Sequence, residues 1–146
     1  MKGILKWPLV IAVVVIVARV VYERRGAPPQ VTNWFSSVAL ILLLPLYFAV
    51  RIAISGVSQP YLEQFKTTAF YAIIVRAMVL VVYWAAFIFK WEEPRFGGVS
   101  NNPSAFMGIV VVPGATALFW IIASLIVGGG LGSLIIALLR PRRQIS

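Results

Sequence analysis

Arg76 stands about nine residues into an apolar run, Thr67 to Phe89, and no other residue of the chain so clearly needs a chemical reason for its position. A charge at the centre of a lipid-embedded helix costs about 2.5–3.5 kcal/mol on insertion scales. Side chains lean toward the helix N-terminus, so the guanidinium is expected to point toward the start of its run and to snorkel. Arg51 lies about five residues from the end of the preceding run, which places the two arginines at a similar expected depth. Two guanidiniums there repel unless something anionic lies between them. The four carboxylates, Glu23, Glu63, Glu92 and Glu93, all fall in loops or at the edges of runs, and Glu63 is on the side needed to reach back. Three outcomes are open for Arg76. It snorkels to phosphate or backbone carbonyls, it pairs with an acid of a partner subunit, or it lines a cavity for an anionic lipid or solute.

A second constellation is built for contact rather than reaction. Ser124, Gly128 and Gly132 recur every four residues, with Gly129, Ser133 and Ala137 in a second row beside them. Small residues at this spacing let helix backbones approach closely in lipid. Such a face either packs within the chain or meets another subunit or a second copy.

The missing residue types exclude much chemistry. The chain has neither histidine nor cysteine, so disulfides, thiol nucleophiles and the usual zinc, copper and haem ligands are ruled out. No metal or cofactor is expected. Membrane serine proteolysis lacks its base, and Ser36, Ser37, Ser55 and Ser124 read as caps and interhelical hydrogen bonds. Proton and cation carriers usually hold an acid inside the membrane, and the first run offers none before Glu23. Gly128-Gly129-Gly130-Leu131-Gly132 has no following Lys-Ser/Thr and is no phosphate loop. The expectation is a protein that is not an enzyme.

These residues are carried on a chain of 146 residues that is 61% hydrophobic and 12% charged, where soluble domains carry about a quarter charged residues. Four apolar runs, about Leu5 to Tyr22, Trp34 to Gly56, Thr67 to Phe89 and Gly114 to Leu139, use most of it. The expected fold is all-α, an integral membrane bundle of four transmembrane helices forming one domain. The first run, flanked by Lys2, Lys6 and the Arg24-Arg25 pair, reads as an uncleaved span. Pro28-Pro29 marks a loop, and Thr32 or Asn33 can cap the second helix, which Pro45 should kink. Ser58-Gln59-Pro60 restarts the chain in a short amphipathic turn before the third span. Trp91 to Ser104 is the longest polar loop, and Pro113-Gly114 is expected to divide the last apolar stretch, with a hairpin at the glycine run as the alternative.

The net charge of +9 clusters at span ends, which points to membrane orientation and anionic headgroups and not to nucleic acid. Lys2, Lys6, Lys66, Arg140, Arg142 and Arg143, with Arg51, outnumber Arg24, Arg25, Lys90 and Arg95, with Arg19. The bias puts both termini in the cytoplasm, with a bacterial inner membrane as the default. The leading functional expectation is an accessory or assembly subunit, or a scaffold, of a larger membrane complex. The alternatives are an oligomeric transporter or channel for a small anionic solute, and a lipid-handling protein, both using Arg51 and Arg76. Its expected partners are the bilayer, other membrane subunits or a second copy of itself.

Overall fold

The computed structural model describes residues 2–140. It is all-helical among those residues, with four helices long and apolar enough to cross a membrane. Helix α1 is Lys2–Arg24, α2 is the short Pro29–Thr32, α3 is Ser37–Ser55 and α4 is Pro60–Phe89. A 3-10 turn, Pro94–Phe96, leads into α5, Gly97–Ser100. The last span, Met107–Leu139, contains α6, Val112–Ser124, and α7, Gly130–Leu139, joined and preceded by π-helical turns. Arg142 and Arg143 lie outside the described residues.

The ends of the helices follow local chemistry. Ser36, not Thr32 or Asn33, caps α3, its Oγ accepting from the Ala39 amide at 3.3 Å. Thr32 is itself helical, and its hydroxyl donates to the Pro29 carbonyl. Gly56 closes α3 with φ of 74°, a left-handed conformation that glycine adopts without strain. The amphipathic turn after Pro60 is not a separate element. It continues into a 30-residue helix, because Gln64, Thr67 and Thr68 are buried on the same side as Tyr71 and Val75.

The last span runs unbroken through both expected dividing points. Proline lacks an amide hydrogen and leaves the carbonyl four residues before it without a donor. The chain enters Pro113 through the π-helical turn Met107–Val111, and the Ile109 carbonyl in that turn accepts from Trp84 Nε1 on α4 at 2.8 Å. Pro45 strands the Ile41 carbonyl, and the Ser124 hydroxyl of the last span donates to that oxygen. The glycine run does not form a hairpin either. It passes through the π-helical turn Leu125–Gly129, where the Gly128 carbonyl accepts from Gln64 Nε2 at 3.2 Å. In lipid no water can satisfy these groups, so a donor on a neighbouring helix decides whether such a helix persists.

The core lies where α3, α4 and the last span meet. Ile41, Phe48, Ile52, Tyr71, Val75 and Ile136 are fully buried there. Phe48 and Tyr71 pack edge to face at 5.3 Å, and the Tyr71 hydroxyl donates to the Pro8 carbonyl of α1 at 3.2 Å. Helix α1 is peripheral, packing along α2, α3 and α4 and meeting the 90s loop through side chains at its C-terminal end. Its outward stripe of Val10, Val13, Val14, Val17 and Val21 is exposed at helical spacing.

Candidate functional site: an arginine–carboxylate cluster beside a cleft

The charged groups converge where α1 ends and the 90s loop returns. Arg19 and Glu23 are one helical turn apart on α1, and Arg19 Nε donates to Glu23 Oε1 at 2.9 Å. Lys90 ends α4 in a left-handed conformation, with φ of 52°, and turns the chain back over the bundle. Phe96 is fully buried against Tyr83 and Trp91, each ring centre 5.4 Å away. That anchor fixes its neighbour Arg95, whose Nη2 stands 3.0 Å from Glu23 Oε2. Arg24 donates to Glu93 Oε1 at 2.9 Å and lies over the Trp91 ring. A cleft of about 390 Å³ opens between these groups, lined by Arg19, Glu23, Thr32, Asn33, Glu93 and Arg95 among others.

Arg76 lies near the middle of α4, on its buried side. Arg76 is only 5% exposed, makes no hydrogen bond or ion pair among the described residues, and has a buried Nε without a partner. Burial pushes the Arg95 guanidinium below its ordinary range, Glu23 pushes it back up, and Arg19 and Arg76 push it down again. Arg95 Nε is also buried and unpaired.

Arg51 and Glu63 are not brought to Arg76. Arg51 is exposed on α3, and Glu63 is half-buried beside Lys66 and Thr67 at the start of α4, with no ion pair among the described residues. Arg51 is thus exposed where Arg76 is buried, and no hydrogen bond or ion pair joins them to each other or to Glu63 among the described residues.

The small-residue rows face the chain's own interior for most of their length. A Cβ at Gly128 would meet Pro45, one at Gly129 would meet Phe65, and one at Gly132 would meet Gln64. Ser124 is fully buried, and Ser133 donates to the Gly129 carbonyl at 2.8 Å. Ala137 turns outward and is exposed.

Arg19, Glu23 and Arg95 were not singled out by the sequence. The four-residue spacing of Arg19 and Glu23 is a usable signal for their pair. Nothing local connects Arg95 to Glu23, because that contact depends on how Phe96 is buried. Compared with protein-family models, curated proteins and solved structures, the chain matches none.

Proposed function

We propose that this multi-pass membrane protein is non-catalytic and acts through contacts, as an accessory or scaffold subunit of a membrane complex. The observation that supports this most is how the interior polar groups are used. Ser124, Trp84, Gln64 and Tyr71 each donate to a backbone carbonyl of another helix. They hold helices together and are not arranged around a space where a substrate could react.

The glycines face inward, so a neighbouring subunit must use an outward face, and the valine stripe of α1 is the one on the most peripheral helix. The excess of basic residues at the Lys6, Lys66 and Arg140 end supports termini in the cytoplasm of a bacterial inner membrane. Tagged full-length protein, extracted in mild detergent, should carry a membrane protein at fixed stoichiometry through size exclusion. Replacing Val13 and Val17 by Trp should release that partner while the protein stays folded. A lone monomer or a lone homo-oligomer would refute the reading.

A further inference from the structure

We propose that the groove between the starts of α1 and α4 binds an aminophospholipid. The ammonium of its ethanolamine headgroup donates to Glu63, its phosphate meets Lys66, and an acyl chain lies along Leu5, Phe70 and Ile73. The proposal does not depend on any partner subunit.

One bond sets the two walls of the groove side by side. The Tyr71 hydroxyl donates to the Pro8 carbonyl at 3.2 Å, so the first turns of α1 stand beside the first turns of α4. Between them opens a groove of about 220 Å³, lined by Leu5 of α1 and by Glu63, Lys66, Thr67 and Phe70 of α4. Thr67 is buried there, while Lys66 and Phe70 are exposed. Glu63, Lys66, Phe70 and Ile73 follow one another at three- and four-residue spacing and so share one face of α4. That face changes character along its length. Two opposite charges stand at the start of the span, and two exposed apolar side chains lie deeper in it.

The two charges balance but are not spent on each other. Residues one turn apart can pair on a helix surface. Yet the ion pairs among the described residues, Arg19–Glu23, Arg24–Glu93 and Arg95–Glu23, all lie at the opposite end of the molecule. A ligand that answers both side chains must carry an anion and a cation with N–H donors on one headgroup. Ethanolamine phosphate does so, with oxygens for the Lys66 ammonium and a primary ammonium for the Glu63 carboxylate. A choline headgroup has the same charges but no N–H to donate. A glycerol headgroup has no cation and leaves Glu63 facing a net negative lipid. The apolar half of the face completes the match, since Phe70 and Ile73, 55% and 51% exposed, give a chain a wall that runs on into the bilayer.

The test is the thermal midpoint of the purified full-length protein in neutral detergent. It is titrated with mixed micelles containing phosphatidylethanolamine, phosphatidylcholine or phosphatidylglycerol with the same acyl chains. Phosphatidylethanolamine should raise the midpoint saturably and beyond the other two, since a ligand that binds only the folded state stabilises it. Glu63→Gln should weaken its apparent affinity by about tenfold and bring it to the level of phosphatidylcholine. Lys66→Gln should weaken both lipids, because both present a phosphate. Neither side chain is fully buried, so the midpoints of the two variants without lipid should stay close to that of the unaltered protein. Glu92→Gln, exposed at the other end of the molecule, should leave every response unchanged. Equal responses to the ethanolamine and choline lipids, or none to either, would overturn the proposal. A stronger response to phosphatidylglycerol would also overturn it, by showing that basic residues alone attract lipid there. So would a Glu63→Gln variant that keeps the full preference for ethanolamine.

Discussion

Replacing Gly128 by leucine is expected to lower the unfolding free energy in detergent by about 3 kcal/mol, near the upper end of overpacking costs. A Cβ there would stand 2.6 Å from Pro45 Cβ and 2.7 Å from Pro45 Cγ. A proline ring in the middle of a helix has no flexible end that can swing away, so the last span must move off α3. That movement strains the Ser124 bond to the Ile41 carbonyl and the Gln64 bonds to Pro45 and Gly128. Interhelical hydrogen bonds in membranes average about 0.6 kcal/mol each, so steric exclusion is the larger part of the cost.

The two neighbouring glycines provide the controls. A Cβ at Gly129 meets the ring of Phe65, which is 41% exposed and can turn outward, so Gly129→Ala should cost less than about 1 kcal/mol. A Cβ at Gly130 meets nothing within 4 Å, so Gly130→Ala should be neutral or slightly stabilising. Thermal or denaturant unfolding of the three variants reads this order directly. Equal effects at all three positions would show that the glycines act only through backbone flexibility.

The second large effect is expected at Arg140. Its Nε, Nη1 and Nη2 donate to the carbonyls of Ala53, Val57 and Ile52 at 2.9, 2.8 and 3.1 Å. The last carbonyls of a helix have no intrahelical donor, and a cation there also meets the negative end of the helix dipole. One planar guanidinium therefore closes α3 and fastens the end of the last span to it. Arg140→Gln should cost about 2 kcal/mol, reduced from the full value of three charged hydrogen bonds because the residue is only half-buried. Lysine keeps the charge but not the fork, and should recover about half of that. Hydrogen exchange of the Gly56 to Gln59 amides should quicken in Arg140→Gln. Arg51→Gln, on the same helix but exposed and unpaired among the described residues, should change stability by less than about 0.5 kcal/mol.

The four spans were legible because a run of about 20 apolar residues has few alternatives to crossing a bilayer. Ser124 was legible as an interhelical hydrogen bond, since a buried hydroxyl in lipid must find an acceptor. Its acceptor was not, because that required pairing Pro45 with a residue 79 positions away. Pro113 was read as a divider for the same reason: the π-helical turn that carries the helix into it, and the bond from Trp84 to the Ile109 carbonyl there, depend on a residue of another helix. That Arg76 needs a special setting could be anticipated from its depth, but not that it would be buried with its Nε unpaired among the described residues, which depends on how the other helices cover α4. The 90s loop misled in another way. Its prolines, glycines and asparagines read only as a polar loop, yet Phe96 and Val99 bury themselves and Arg95 stands against Glu23.

The chain's lack of cysteine allows the four-crossing arrangement to be measured without altering any native thiol. Single cysteines placed at the exposed positions Gln30, Glu92 and Ser58 would be probed in intact bacterial cells with a membrane-impermeant maleimide. Gln30→Cys and Glu92→Cys should react from outside, and Ser58→Cys only after the membrane is opened. Labelling of Gln30→Cys and Ser58→Cys from the same side would mean that α3 does not cross the bilayer, and the four-span bundle would be wrong.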